Sequence, residues 1–127
     1  LRSLGYDCQD FGSFTPDAVD YPDIAEKVAQ AVAAGQYERG ILFCGTGVGV
    51  SIAANKVKGI RAALCHDTFT ANASRSHNDA NILCMGGRVV GPGLACDIAR
   101  VWLEGTFSHE ERHTRRVGKI GALDAKR

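Results

Sequence analysis

Short apolar runs alternate with amphipathic stretches of helical period along almost the whole chain. Strands are predicted for residues 6–11, 41–43, 61–65 and 81–85, and helices for residues 20–35, 50–56, 67–77, 94–103 and 109–123. A strand followed by a helix and another strand favours a right-handed crossover, which makes the sheet parallel and places helices on both of its faces. The sequence therefore predicts an α/β fold, a three-layer α/β/α Rossmann-like arrangement in a single domain over residues 1–127.

The ends of the predicted helices carry sequence signals of their own. Asp20 and Asp67 are typical N-cap residues. Gly35 and Gly105 follow the last apolar positions of two helices, where glycine commonly ends a helix. Residues 12–20 are turn-rich and polar, which predicts a loop.

Composition argues against several classes of function. The formal net charge of +1 does not favour a protein that binds nucleic acid through bulk charge, and no apolar stretch is long enough to cross a membrane. The cysteines are odd in number and none forms a C-x-x-C pair; they are Cys8, Cys44, Cys65, Cys84 and Cys96. We expect free thiols in a reducing, cytoplasmic setting, and their spacing predicts no zinc or other metal site.

A glycine-rich turn at residues 44–49 joins a predicted strand to a predicted helix. Its glycines let backbone N–H groups approach a phosphate or an oxyanion closely. The turn lacks the Lys-Ser/Thr of a P-loop, its G-x-G-x-G spacing departs from the dinucleotide fingerprint, and Val50 stands where a phosphatase loop would need arginine. Cys44 is a candidate base or nucleophile and Thr46 a candidate oxyanion donor. The alternatives are a buried free cysteine and a hydroxyl bonded to the local backbone.

Further polar candidates follow from the predicted topology. The carboxyl ends of parallel strands meet at one edge of the sheet. That edge should carry Cys44, His66, Asp67, Gly86 and Arg88. His77 could move protons near neutral pH or simply belong to a polar helix end, and its position is not fixed by the pattern. Arg112 and Arg116 lie four residues apart on one helix face, which suits either a phosphate grip or a solvated basic surface. His66 and His109 are expected to be ordinary residues at a strand end or on the surface.

A series of short motifs occurs in order along the chain. They are Asp10-Phe11-Gly12, Val19-Asp20-Tyr21-Pro22-Asp23, Cys44-Gly45-Thr46-Gly47, Ile52-Ala53-Ala54-Asn55-Lys56, Arg61-Ala62-Ala63-Leu64-Cys65, His77-Asn78-Asp79-Ala80-Asn81, Gly86-Gly87-Arg88, and Arg112-His113 with Arg116. Together they resemble the family of type B ribose-5-phosphate isomerases and galactose-6-phosphate isomerase subunits, over nearly the whole chain.

That resemblance implies reversible aldose–ketose isomerisation of a phosphorylated sugar through an enediolate, with no metal or other cofactor. It implies that Cys44 is the base, that Thr46 and the N–H groups of the glycine turn stabilise the enediolate, and that His77 assists ring opening. The substrate-binding residues that it implies are Tyr21, Gly45, Gly47, Gly49, Asn78, Arg88, Arg112 and Arg116. It also implies a homodimer, or a dimer of dimers, whose active sites draw residues from two subunits.

Ribose 5-phosphate is the substrate to which the resemblance points first. A galactose-6-phosphate or allose-6-phosphate isomerase subunit is the neighbouring alternative, and a non-catalytic sugar-phosphate-binding protein is the alternative from another class. The sequence of motifs alone does not separate a pentose phosphate from a hexose phosphate.

The start of the chain departs from the family's pattern. Members begin with a strand that ends in an Asp-His pair and lies inside a sheet of about five strands, followed by a helix. Residues 1–5 instead read as the last turn of a helix that ends at a C′ glycine. We therefore expect that the N-terminal strand and helix of the family are missing here.

Overall fold

The computed structural model describes residues 6–11 and 20–127. Within them lies a parallel sheet of three strands, β1 (Gly40–Cys44), β2 (Ala62–Leu64) and β3 (Ile82–Gly86), in the order β1-β3-β2. Ile82 of the central strand pairs with Gly40 on one side and with Ala62 on the other. All five residues of β3 are buried, as expected for a strand that is covered on both faces.

Helices form the two outer layers. They are α1 (Tyr21–Ala33), α2 (Val48–Ala54), α3 (Thr68–Ser76), α4 (Pro92–Glu104) and α5 (Glu111–Leu123), and a 3-10 turn (Asp124–Lys126) follows α5. Ile82 and Cys84 of β3 join a core that α1 and α2 cover. Leu83 and Met85, which point to the opposite face, join a core that contains Trp102 of α4. The predicted three-layer α/β/α fold is therefore confirmed.

Most of the predicted elements form close to their predicted bounds. The Asp67 carboxylate accepts the Thr70 N–H at 2.6 Å as the N-cap of α3, and Gly105 is the C-cap residue of α4. Asp20 occupies the N-cap position of α1, but its side chain makes no capping hydrogen bond. None of the helices in residues 6–11 and 20–127 combines the length and the apolarity that crossing a membrane requires.

The strand predicted at residues 6–11 is wrong. These residues form no strand, because a strand needs a hydrogen-bonded neighbour and β1 is bonded only to β3 within the described residues. Phe11 instead packs against the core under α1, and its ring meets that of Tyr37 edge-on at 5.6 Å between centroids. The helix end at residues 1–5 and nearly all of the loop predicted at residues 12–20 lie outside the described part of the chain.

Candidate active site

The glycine turn after β1 has a backbone that admits no side chain at two of its positions. Gly47 has φ = +80°, and a Cβ there would lie 2.8 Å from the backbone carbon of Met85. A Cβ on Gly49 would lie 2.5 Å from the ring of Tyr21. Glycine is therefore required for the turn to lie against β3 and for the Tyr21 ring, at the start of α1, to lie against the turn.

Cys44 ends β1 with its side chain turned into this loop. Its Sγ accepts the Gly47 N–H at 3.2 Å, and the residue is half-buried. Burial by itself raises the pKa of the Cys44 thiol, but hydrogen bonds from the N–H groups of Val50, Gly47, Thr46 and Gly49 outweigh it and lower the pKa below its ordinary value. The loop therefore favours a thiolate at the position predicted for the base.

Thr46 is exposed at the tip of the same turn. Its Oγ1 accepts the Val48 N–H at 3.3 Å. A hydroxyl bonded to the local backbone was the expected alternative to an oxyanion donor at this position. Accepting that bond leaves the hydroxyl proton free to be donated outward. The two interpretations of Thr46 are thus compatible, since its oxygen accepts the local bond while the hydroxyl can still donate.

The turn after β3 is fastened to the glycine turn. The N–H of Gly87 donates to the Cys44 carbonyl at 2.8 Å, and the N–H of Arg88 donates to the Gly45 carbonyl at 3.0 Å. The Arg88 side chain passes over Gly45, because a Cβ on that glycine would lie 3.6 Å from Arg88 Nε. The structure therefore places the Arg88 guanidinium beside the turn that holds the Cys44 sulfur.

His66, which was expected to be an ordinary residue at a strand end, supports this arrangement. Its Nε2 accepts the Gly86 N–H at 3.0 Å, directly after β2 and at the same sheet edge. The bond requires Nε2 to be unprotonated, so the ring proton lies on Nδ1. The only sequence signal for this role was the position of His66 at the end of a strand.

A second group of polar residues surrounds His77. Because α3 runs from the carboxyl end of β2 back to the amino end of β3, His77 at its C-cap lies near the amino edge of the sheet. The turn that follows is fixed there: the Asn81 side chain accepts the Arg61 N–H at 2.8 Å, just before β2, and the Asn81 carbonyl accepts the Gly40 N–H. His77 and Asn78 are both exposed.

The first turns of α5 complete this second group. The ring of His113 stacks on the ring of His77, with centroids 4.4 Å apart. Arg112 and Arg116 lie on either side of His113 along the helix and are exposed. Arg112 also lies 3.5 Å from the Glu110 carboxylate, a solvent-exposed pair of little strength.

The predicted site residues, together with His113, thus form two clusters. The cysteine cluster at the carboxyl edge comprises Tyr21, Cys44 to Gly49, and Arg88. The histidine cluster near the amino edge comprises His77, Asn78, Arg112, His113 and Arg116. The nine-residue α3 spans the sheet between the two edges and is about 13 Å long. One chain therefore does not bring Cys44 and His77 to the same place.

No group of three or more His, Cys, Asp or Glu residues within 6–11 and 20–127 is arranged to hold a metal ion. The chemistry on which the cysteine cluster can draw is that of a thiolate, a hydroxyl, backbone N–H groups and one guanidinium. A base beside fixed hydrogen-bond donors suits proton transfer at a carbon next to a carbonyl, where negative charge develops on oxygen.

Comparison with known proteins gives a consistent result. A family model described as Ribose/Galactose Isomerase matches residues 1–120. The ribose-5-phosphate isomerase B of Escherichia coli is 48% identical over 127 residues, which cover 100% of this chain and 85% of that protein. The D-erythrulose-4-phosphate isomerase of Pectobacterium atrosepticum is 44% identical over 130 aligned positions, covering 89% of this chain and 85% of that protein. A solved structure of Clostridium thermocellum ribose-5-phosphate isomerase B superposes with a TM-score of 0.95 at 54% identity, covering 98% of this chain and 84% of that one.

Proposed function

Because the chain belongs to the ribose/galactose isomerase family and is a sugar-phosphate aldose–ketose isomerase, we propose that it interconverts ribose 5-phosphate and ribulose 5-phosphate. The two relatives named as ribose-5-phosphate isomerases have a higher sequence identity to this chain than the one named as a D-erythrulose-4-phosphate isomerase. The single observation that carries the chemistry is the Cys44 sulfur bonded by the N–H groups of the glycine turn.

In the proposed reaction the Cys44 thiolate removes the proton from C2 of the open-chain aldose. The electron pair of the C–H bond forms the C1–C2 double bond, and the carbonyl electrons move onto O1. The same sulfur then returns a proton to C1, while the proton on O2 passes to O1 and the carbonyl re-forms at C2. The lowered pKa of Cys44 increases the fraction of its thiol that is ionised at a given pH, which favours this exchange.

The enediolate needs donors that act when its charge develops. The Gly47 N–H is already bonded to the Cys44 sulfur, whereas the Thr46 hydroxyl only accepts a bond and can donate its own proton to the enediolate. The Arg88 guanidinium over Gly45 adds a positive charge beside the same turn. Tyr21, which lies against Gly49, forms the neighbouring wall for the sugar.

The roles proposed for His77, Asn78, Arg112 and Arg116 require a second copy of the chain. These residues lie near the opposite sheet edge from Cys44, so a complete site would pair the cysteine cluster of one copy with the histidine cluster of another. A two-fold symmetric dimer creates two such sites at once, because each contact occurs twice. In that dimer, or in a dimer of dimers, Arg112 and Arg116 would bind the phosphate and His77 would assist opening of the sugar ring.

The function is tested with ribose 5-phosphate, erythrose 4-phosphate and galactose 6-phosphate in deuterated water. We expect turnover and incorporation of deuterium at the exchanging carbon to be fastest with ribose 5-phosphate. Cys44→Ala should abolish the incorporation, whereas Cys96→Ala, which removes an exposed thiol far along the chain on α4, should not change it. Faster turnover of one of the other sugars would reassign the substrate, and full incorporation in Cys44→Ala would exclude the thiol as base.

A further inference from the structure

His113 is the most buried member of the histidine cluster. It is 6% exposed, whereas His77, against which its ring lies at an interplanar angle of 30°, is exposed. A polar ring that is buried beside an exposed one needs partners of its own. The contacts of His113 therefore indicate how the pair of rings is held in place.

Two groups hold the Nδ1 atom of His113. Ser108 Oγ lies 2.7 Å from it, and Glu110 Oε2 lies 3.3 Å from it. Ser108 is itself fixed, because its Oγ accepts the Glu110 N–H at 3.2 Å and its own N–H donates to the Ser76 carbonyl at 3.0 Å. The segment before α5 is thus tied to the last residue of α3, immediately before His77.

The backbone around this pair adopts an uncommon conformation. Among the described residues, only Asp79 (φ = +50°) and His109 (φ = +59°) have positive φ without being glycine. Asp79 follows His77 by two residues, and His109 precedes His113 by four. Such conformations persist where surrounding contacts enforce them, and they are frequent at functional sites.

The charges that face His113 are His77 from α3, Glu110 before α5, and Arg112 and Arg116 from α5. Burial lowers the pKa of His113, and His77 and the two arginines lower it further, against the opposing effect of Glu110. These effects favour the neutral form of the His113 ring. A neutral ring face accommodates a protonated imidazole above it, whereas a second charged ring would repel it.

We propose that His113 is a positioning residue for His77: its buried ring, held by Ser108, fixes the plane in which the exposed His77 imidazole meets the sugar. The proposal rests on the proposed function, since it assigns His113 to the ring-opening role of His77. It concerns His113 itself, to which the reaction above gives no part.

A comparison of the two sugars of the reaction distinguishes a loss of ring opening from a general loss of activity. Ribose 5-phosphate is mainly a closed ring, whereas ribulose 5-phosphate has no hydroxyl placed to close a five-membered ring and stays open. His113→Leu should lower kcat with ribose 5-phosphate by roughly tenfold, a part of the usual contribution of a proton-transfer group. The KM, and deuterium exchange into ribulose 5-phosphate, should stay unchanged. His113→Phe keeps a flat ring and should restore most of the loss.

A double-mutant cycle with His77→Ala tests the coupling. If His113 acts only through His77, then His113→Leu should cost nothing further in a His77→Ala background. The proposal would be overturned if the losses in kcat from the two substitutions multiply. It would also be overturned if His113→Leu slows the reactions of both sugars equally. Ser108→Ala, which keeps the ring but removes the closer of the two groups that hold Nδ1, provides a milder variant if His113→Leu does not fold, and it should show the same restriction to the closed sugar.

An NMR measurement tests the stack without any substrate. The carbon-bound ring protons of His77 should shift in His113→Leu, which removes the neighbouring ring current, and should remain near their original positions in His113→Phe. Unchanged His77 signals in His113→Leu would overturn the proposal. If the unmodified protein fails to isomerise ribose 5-phosphate, the proposed function fails, but this spectrum still decides whether His113 holds His77.

Discussion

Cys44 and Cys84 lie on adjacent strands, and their surroundings give their thiols opposite properties. N–H groups of the glycine turn lower the pKa of Cys44, whereas burial, with small contributions from Cys44 and Cys65, raises the pKa of Cys84 to about 12. Only a thiolate reacts appreciably with an alkylating reagent. The reactivity of the two residues should therefore differ within one folded molecule.

Iodoacetamide labelling, resolved by residue with mass spectrometry, measures this difference. As pH rises, labelling of Cys44 should pass its midpoint below the ordinary value for a thiol, since a lowered pKa makes the thiolate appear earlier. Cys84 should stay unlabelled until the protein unfolds. Cys44 labelling that begins only in the alkaline range of a free thiol would contradict a thiolate held by the turn.

At the level of elements, Gly86, the last residue of β3, and Gly87, which follows it, have very different surroundings. A Cβ on Gly86 would lie 2.6 Å from the backbone of Thr46, whereas a Cβ on Gly87 would meet only the Cys44 carbonyl oxygen at 3.8 Å. Gly86→Ala should therefore push the two turns apart and destabilise the fold by about 1–3 kcal/mol, the usual cost of overpacking. Gly87→Ala should cost well under that.

Urea unfolding of both variants, together with the rate of Cys44 labelling, checks this expectation. Gly86→Ala should slow the labelling, because a displaced turn no longer aims its N–H groups at the sulfur. Gly87→Ala is the matched control. Equal stability and equal labelling in the two variants would show that the turns do not support each other.

The end of α3 depends on one buried arginine. Arg75 is 7% exposed, and its Nη1 donates to the Ala80 carbonyl at 2.6 Å and to Asp79 Oδ1 at 3.0 Å. Arg75→Ala would leave a buried carbonyl and a carboxylate without this donor, at a cost of roughly 3 kcal/mol. It should also loosen the turn that carries His77 and Asn78.

Arg115 provides the comparison for Arg75. It also pairs with an acid four residues away, Glu111, at 2.6 Å, but its side chain is 49% exposed. Arg115→Ala should cost less than about 0.5 kcal/mol, because solvent and salt screen exposed pairs. Thermal unfolding of the two variants decides the point. Equal losses would mean that burial does not set the strength of these pairs.

The sequence predicts helices better than sheet pairing in this chain, for a physical reason. The helices α1 and α4 are recognisable because their apolar positions and the glycine near each end are local signals. Residues 6–11 have the apolar residues of a strand but form none, because strand formation depends on a partner that is distant in sequence. Of the three strands that form where they are predicted, β1 and β2 each pair with β3.

At the scale of the whole molecule, the family resemblance supplies a set of expected site residues but not how they divide between the two clusters. Cys44, His66 and Arg88 were expected at one sheet edge, and the structure brings them together there. The sequence pattern does not locate His77, because the direction of α3 determines which edge of the sheet the residue reaches. No role was predicted for His66 or His113, since a histidine that bonds a backbone N–H or stacks on another ring leaves no local pattern in the sequence.

This division yields a test of the proposed shared site. The variants Cys44→Ala and His77→Ala should each retain only a small residual activity alone with ribose 5-phosphate. In a dimer that combines one chain of each, one site carries both substitutions and the other carries neither. Random pairing makes half of the dimers mixed, so about a quarter of all sites would be intact.

Mixing the two variants under mild denaturation, followed by refolding together, should therefore restore roughly a quarter of the original activity. A matched mixture of Cys44→Ala with Arg88→Ala should restore none, because both residues belong to the cysteine cluster and every site in that mixture lacks one of them. Recovery of the second pair, or failure of the first pair despite mixed dimers in native mass spectrometry, would mean that Cys44 and His77 do not meet across two copies. Because the direction of α3 also keeps these two residues apart within one chain, the reaction would then have to proceed without His77.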